Sequence, residues 1–346
     1  MKLMLFRFSA MGDVAMTVPV IKTLLDTYPE LEIIMVSRPF FAPLFKDLPR
    51  LKFIGVDLKT SYKGLPGLYR LFRELKQYQP RAIADLHDVL RTKILRFFFK
   101  TAGYKVAVIN KGRQEKKALT RSQNKILKPL PTTHERYADV FRKLGWALDL
   151  KNYKPQYPEL SVQVALFLEN FKDKKIIGIA PFAAHPGKEY PLKKTKELIR
   201  LILQKNEKVD ILLFGGGNIE KQKLDELEKI NRNRIVNLAG VFSFEEELQI
   251  ISRLALMLSM DSGNGHLAAI FGVPVITIWG LTHPFAGFTP FNQPDEYQII
   301  PDLKTFPQLP TSVYGNKTFE GFEQIWETIS PEIIVDKIMN VLVQKD

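Results

Sequence analysis

The chain has 346 residues, more than one typical hydrophobic core accommodates, so two domains are expected. A hydrophobic content of 45% and an aromatic content of 11% suit a globular protein, and the absence of cysteine excludes disulfides and thiolate metal sites. The net charge of +13 is unevenly spread: residues 1–160 carry 30 Lys and Arg against 14 Asp and Glu, the remainder 20 against 23. Solubility accounts for the total, but an anionic partner met by the first half alone accounts for the split. Nucleic acid, an acidic membrane surface and a phosphorylated glycolipid all carry the required charge.

Residues 2–8 read as a strand interrupted by Arg7, without the long apolar stretch and cleavage site of a signal peptide. No window approaches the ~20 apolar residues of a membrane span, and a cytosolic protein is expected. Ser9-Ala10-Met11-Gly12-Asp13 follows, then a helical pattern over 14–27 with apolar residues at 14, 18, 21, 24 and 25. Pro19 inside that pattern predicts a late start or a kink. Gly12 permits close backbone approach or an unusual dihedral. Asp13 stands where strand becomes helix, at the C-terminal edge of an expected parallel sheet. Doubly wound proteins place ligands at that edge, although a helix cap is the simpler role for an aspartate there. The spacing G-x-G-x-x-G is missing, which argues against an NAD enzyme.

Further strands are expected at 31–36, 51–56, 82–86 and 105–109, with helices at 40–47, 65–77 and 89–100. The helix at 65–77 has a basic face of Arg70, Arg73 and Lys76. The helix at 89–100 carries Arg91, Lys93, Arg96 and Lys100 beside Phe97-Phe98-Phe99. That combination fits a membrane contact or, more commonly, a core-facing aromatic stripe with solvated charges. Lys111-Gly112-Arg113-Gln114-Glu115-Lys116-Lys117, with Arg121, lacks apolar periodicity and reads as an exposed loop able to close on phosphate or carboxylate groups. A helix from Thr133 ends near Gly145, and residues 149–160, with Pro155 and Pro158, read as a linker.

The second half repeats the grammar. A helix at 162–171 precedes a strand at 176–180, and a loop containing Gly187 and Lys188 leads through Pro191 into a helix at 192–204. A strand at 209–214 is followed by Gly215-Gly216-Gly217-Asn218 and a helix containing Glu220. After a strand at 234–238, Ser243 and Glu246 form a capping box for a helix at 244–253. An apolar strand at 254–258 then runs into Met260-Asp261-Ser262-Gly263-Asn264-Gly265-His266, a helix at 267–271 and a strand at 275–279. Backbone N–H groups and the helix dipole make that turn an anion site, while Asp261 suits ribose hydroxyls. A cap at Asp261 or Ser262 and a satisfied buried His266 are the plainer alternatives. Residues 287–318 look irregular, and a helix at 331–343 closes the chain.

Phe8-Ser9-Ala10-Met11-Gly12-Asp13 with Pro19 resembles the opening of glycosyltransferase family 9, the lipopolysaccharide heptosyltransferases. Lys188-x-x-Pro191, Asp261-Ser262-Gly263-x-x-His266-Leu267-Ala268 and Trp279-Gly280-Leu281-Thr282-x-Pro284 resemble its later motifs, in order over nearly the whole chain. The resemblance implies an α/β GT-B fold: two Rossmann-like domains with parallel sheets facing across a cleft. Residues 1–155 would form the acceptor domain and 156–330 the nucleotide-sugar domain, with a final helix, 331–346, packing back on the first. It further implies Asp13 as general base and Lys188, Asp261, Ser262, Gly263 and His266 as donor contacts, with Glu220 and Phe242 flanking ribose and adenine. Gly12, Lys111, Arg113, Lys116 and Arg121 are the candidates for the acceptor. The donor implied is a nucleotide-sugar, by family default ADP-heptose, and the acceptor an anionic glycolipid such as the lipopolysaccharide core. Ala183-Ala184 and Asn264-Gly265 depart from the usual filling of their motifs, so phosphate contact near 183 would rest on backbone N–H groups.

An inverting transfer needs a carboxylate to take the acceptor hydroxyl's proton and positive charge on the leaving diphosphate. No metal-binding Asp-x-Asp is evident, so no metal cofactor is expected, and Lys188 with the helix start at 262–266 would supply the charge. The expected setting is the cytosolic face of a membrane, reached through the basic first half. Two alternatives remain at this level: a nucleotide-sugar epimerase or hydrolase of the same fold, and a non-enzymatic binder of an anionic polymer or membrane surface. Beyond basic residues there is no signature of nucleic-acid binding, and no such partner is expected.

Overall fold

The computed structural model describes residues 1–344. The chain divides into two compact units. Met1–Lys111 and Thr133–Pro155 form the first; Gly112–Thr132 and the chain from Gln156 onward form the second.

In the first unit, β1 (Lys2–Phe6), β2 (Glu32–Ser37), β3 (Leu51–Gly55), β4 (Ala82–Asp85) and β5 (Lys105–Val108) form one parallel sheet in the order β3-β2-β1-β4-β5. Residues 3–6 of the central strand are fully buried, as expected for a parallel strand covered on both faces. The sheet is followed by α1 (Met11–Ala15), α2 (Thr17–Thr27), α3 (Gly64–Lys76) and α4 (Leu90–Thr101) in its crossovers. Met4, Phe6, Ile34 and Val36 pack with Leu68, Leu71, Phe72 and Leu75 of α3 and Leu95 and Phe99 of α4. Pro19 acts as expected. Without its N–H, the Ala15 carbonyl has no donor four residues on, and the helix breaks at Met16 into α1 and α2. The short helix expected at 40–47 is a 3₁₀ helix, Pro39–Phe45, with Pro43 inside.

The basic stretch after Lys111 is not an open loop. Arg113–Thr120 is a helix, α5, entered through Gly112 at φ 62° and anchored by the fully buried Leu119. It belongs to the second unit, where Lys116 Nζ lies 3.9 Å from the centroid of the Phe288 ring and Lys125 Nζ donates to the carbonyls of Gln308 and Pro310. The chain returns to the first unit at α6 (Thr133–Leu144), which packs on β4 and β5 and on α2.

The second unit begins with α7 (Val162–Glu169). Its sheet contains β6 (Lys175–Ala180), β7 (Val209–Leu213), β8 (Ile235–Asn237), β9 (Leu256–Met260), β10 (Val275–Ile278) and β11 (Gln298–Ile299), all parallel, in the order β11-β10-β9-β6-β7-β8. The remaining helices are α8 (Leu192–Lys205), α9 (Gly217–Glu228), α10 (Phe244–Ile251), α11 (Gly263–Ile270) and α12 (Pro331–Val343). The capping box at α10 is present: Glu246 N–H donates to Ser243 Oγ, and Ser243 N–H donates to Glu246.

One expectation needs correction here. The strand before the motif runs to Met260, and α11 already starts at Gly263, so both motif glycines are helical. Gly265 is needed there, because a Cβ would lie 2.5 Å from Ser259 Oγ and hold the helix off its strand. The closing helix, α12, lies in the second unit. Its stripe of Ile334, Val335, Ile338, Val341 and Leu342 belongs to the second core, against α8 and β9, and Lys175 Nζ donates to the Leu342 carbonyl. Residues 345–346 of the expected span lie outside the described residues.

Candidate functional site

Each sheet has one place where strand order reverses direction, between β1 and β4 in the first unit and between β6 and β9 in the second. The loops leaving the C-terminal ends of such neighbouring strands diverge and leave a crevice. Asp13 follows β1 and His87 follows β4; Lys188 follows β6 and Asp261 follows β9. Each pair therefore sits at a switch point.

At the first, Arg7 is almost wholly buried at the end of β1 and cannot remain unpaired. Its Nη1 donates to the Leu86 carbonyl at 2.8 Å, its Nη2 lies 2.6 Å from Asp13 Oδ2, and the guanidinium lies 5.9 Å from the Tyr137 ring centroid. The Ala10 N–H also donates to Oδ2, and the Tyr137 hydroxyl donates to the Asp13 carbonyl. Asp13 is thus more than a helix cap: one carboxylate oxygen is anchored twice, while among the described residues Oδ1 takes no hydrogen bond. The side chain keeps 29% of its exposure, so that oxygen can reach a substrate.

His87 closes the other side. The Phe8 N–H donates to Nδ1, which places the ring proton on Nε2, 3.4 Å from Ser9 Oγ. Burial, then the Arg7 and Lys111 cations, push its pKa down to about 3, so it is a neutral donor at physiological pH. Lys111 therefore lies within electrostatic range of this cluster. Gly12 is helical, with no positive φ.

At the second switch point, Lys188 ends a 3₁₀ turn, Pro186–Lys188. Its Nζ lies 2.9 Å from Asp261 Oδ2, and the Thr282 hydroxyl donates to the same oxygen at 2.9 Å. The turn is held by close backbone approach. Leu281 N–H donates to the Gly187 carbonyl, and a Cβ at Gly280 would fall 2.2 Å from that oxygen. Ser262 is the N-cap residue of α11 but makes no side-chain cap bond, and among the described residues its buried hydroxyl has no partner. The first N–H groups of α11, at Gly263, Asn264 and Gly265, point out of the helix start as such groups must. On the loop after β10, His283 is buried with Nδ1 accepting from Phe285 N–H, so its Nε2 carries the proton and finds no acceptor among the described residues.

Not all of the expected residues gather here. Lys188, Asp261, Ser262, Gly263 and the buried His266 do, by strand end or helix turn. Glu220, in the first turn of α9 after β7, and Phe242, on the loop leaving β8, lie at the same sheet edge but are engaged locally. Glu220 accepts from Gly216 N–H at 2.7 Å, and the Phe242 ring lies 5.0 Å from that of Phe167 on α7. The Ala183 N–H, expected to meet phosphate, donates to Glu189. Of the acceptor candidates, Lys111 and Gly12 belong to the first unit, whereas Arg113, Lys116 and Arg121 belong to the second; Arg121 donates within its own turn to the Asn124 carbonyl. Arg7, His87, Tyr137 and His283 were not among the expected site residues, and Thr282 stood only within one of the motifs, without a role. A charged residue inside an apolar strand was the available signal for Arg7, and the strand-end run Asp85-Leu86-His87-Asp88 that for His87. Among the described residues, no group of three or more His, Cys, Asp or Glu side chains is placed to hold a metal ion. No described helix is long and apolar enough to cross a membrane.

Comparison with known proteins accords with this geometry. The chain is 26% identical over 360 residues to lipooligosaccharide heptosyltransferase 2 of Haemophilus influenzae, covering 99% of both chains. It is 25% identical over 299 residues to lipopolysaccharide core heptosyltransferase OpsX of the same organism, covering 85% of this chain and 82% of the relative. The solved Escherichia coli ADP-heptose lps heptosyltransferase II superposes with a TM-score of 0.70 at 18% identity, over 100% of this chain and 99% of that one. The fold is thus α/β of the GT-B type, with two parallel sheets. Residues 68–308 match the family profile itself, and the chain belongs to glycosyltransferase family 9 (heptosyltransferase).

Proposed function

We propose that this glycosyltransferase moves heptose from ADP-heptose onto a lipopolysaccharide core or related anionic glycolipid, with inversion at the anomeric carbon and Asp13 as general base. The observation that carries the reading is the asymmetry of the Asp13 carboxylate: Oδ2 is held by Arg7 and the Ala10 N–H, and Oδ1 is left to accept a proton. The acceptor hydroxyl gives that proton to Oδ1 as its oxygen attacks, the bond between the anomeric carbon and the diphosphate breaks, and ADP departs. A correctly placed base contributes ~10²–10⁴-fold.

The leaving diphosphate needs positive charge as the bond breaks. Lys188 has three N–H donors, so it can hold Asp261 and still turn a proton to a phosphate oxygen. The N–H groups that open α11, the Ser262 hydroxyl and the His283 Nε2–H are further donors at the same sheet edge. Together they replace the cation that a metal-dependent transferase would use. Asp261, fixed by Lys188 and Thr282, suits a sugar or ribose hydroxyl. The donor and acceptor identities follow the relatives' names and the family, and the basic first half supports an anionic acceptor at the cytosolic side of a membrane.

The test is a product assay with purified protein, ADP-heptose, and lipopolysaccharide core acceptor added or withheld. The reading predicts ADP release that depends on the acceptor, with a glycolipid product one heptose heavier. Equal turnover of the nucleotide-sugar without acceptor would replace it with an epimerase or hydrolase.

A further inference from the structure

We propose that the outer face of α3 and α4 in the first unit is a docking surface for an anionic lipid bilayer. Large apolar residues exposed singly are ordinary, but here four line the outer faces of two packed neighbouring helices. Leu65 (59% exposed) and Tyr69 (48%) lie on one stripe of α3, and Leu90 (73%) and Phe97 (61%) on one stripe of α4. The half-buried Phe98 joins the stripes, its ring centroid 5.4 Å from that of Tyr69 and 6.1 Å from that of Phe97. The expectation that the three phenylalanines face the core holds for the fully buried Phe99 and in part for Phe98, which packs on Phe72, but not for Phe97.

Exposed cations share these stripes. Lys93 and Lys100 flank Phe97 at helical spacing on α4, and Arg73 and Lys76 continue the line of Leu65 and Tyr69 on α3. Across the two helices there are seven Lys and Arg and one acid, Glu74, which is taken up by the Tyr62 hydroxyl and Arg70. The first unit as a whole carries 24 Lys and Arg against 12 Asp and Glu. The second unit, which also takes in the cationic segment 112–132, has 26 against 25. An apolar stripe between lysines is the pattern of an interfacial helix: the rings enter the headgroup region and the long cationic stems snorkel to phosphates. The exposed apolar face of α7, with Val162 and Leu166, has no lysine or arginine on its helix and lacks that complementarity.

The position fits the proposed reaction. Leu90, at the start of α4, comes three residues after His87, which lies against Ser9 beside the Asp13 cluster. A bilayer on this face would hold a lipid-borne acceptor next to the general base. The inference rests on the proposed function only for the acceptor being lipid-borne, since vesicle binding needs neither donor nor acceptor.

The test is flotation of the full-length protein with phosphatidylcholine vesicles, with and without phosphatidylglycerol, beside binding to a single-stranded oligonucleotide. The variants are Lys93→Glu with Lys100→Glu, Tyr69→Ser with Phe97→Ser, and Leu166→Ser on α7 as control. Wild type should float with the phosphatidylglycerol vesicles only, and each double variant should bind them at least about tenfold more weakly. The control should match wild type, and all variants should keep the wild-type Tm and the wild-type rate on a delipidated acceptor. Wild type that stays unbound, double variants that bind as wild type, or tighter binding to the oligonucleotide than to the vesicles would each overturn the proposal. Loss of vesicle binding with transfer intact would leave the proposed reaction standing, and vesicle binding by a protein without transferase activity would leave this surface standing.

Discussion

The two switch points hold the same pair of groups, an acid and a cation, built in opposite ways. In the first unit the cation is Arg7, locked by the Leu86 carbonyl and set against the Tyr137 ring, and its pairing at 2.6 Å leaves the partner acid one open oxygen. In the second the cation is Lys188, a compact charge on a flexible stem, and its partner Asp261 is 7% exposed and also bound by Thr282. A planar guanidinium holds a carboxylate in a fixed pose; an ammonium can turn toward a new anion. The lesson is that one ion pair can serve to orient an acid and the other to keep a cation ready.

The sharpest way to break this comparison is Asp13→Asn. Transfer should fall by ~10²–10⁴-fold, because the amide has no basic oxygen while keeping the shape. Arg7→Met sharpens it. Asp13 would keep its chemistry but lose its anchor, and turnover should fall ~10–100-fold with little change in ADP affinity, measured by steady-state kinetics beside calorimetry. An Arg7→Met enzyme with wild-type turnover would remove the orienting role.

Lys188→Met should act on the other side of the comparison. It removes a charge-assisted contact worth ~1.5–3 kcal/mol, so ADP should bind ~10–100-fold more weakly, and Asp261, left unpaired, should lower Tm as well. Unchanged ADP affinity would mean that Lys188 serves Asp261 alone. Gly280→Ala probes how the second site is built. Its Cβ would press on the Gly187 carbonyl, costing ~1–3 kcal/mol by thermal or urea unfolding and loosening the Lys188 turn. A fully stable Gly280→Ala protein would show that the backbone approach is dispensable.

The most gradual effect is in pH. His87 has its folded pKa near 3 and His283 near 4, each depressed chiefly by burial and then by neighbouring cations: Arg7 and Lys111 for His87, Lys125 for His283. The unfolded chain binds these protons from about pH 6.5 downward. The stabilisation from neutral histidines is therefore complete above that pH and is lost as pH falls toward 4 and 3, at no more than ~1.4 kcal/mol per unit for each. Glu247, raised by burial to about 7, opposes one of them between its ordinary value and 7. His87→Gln should flatten the acid side of the stability curve; an unaltered slope would contradict the buried neutral ring.

Much of this was legible in the sequence because it is local. Buried strands announce themselves as apolar runs, so both sheets and the two strand-end acids, Asp13 and Asp261, could be read directly. What failed was tertiary. His87 meets Ser9 from 78 residues away, and nothing near Asp13 names it. The helix at 113–120 hides its one deeply buried contact, Leu119, among charges, and so read as a loop.

The most direct measurement of the central claim is a calorimetric titration of ADP into the Asp13→Asn protein. If Asp13 serves only the acceptor's proton, ADP should bind within about twofold of wild type while transfer has collapsed. A tenfold or greater loss of ADP affinity would place Asp13 among the donor's contacts and contradict the division of labour between the two ion pairs.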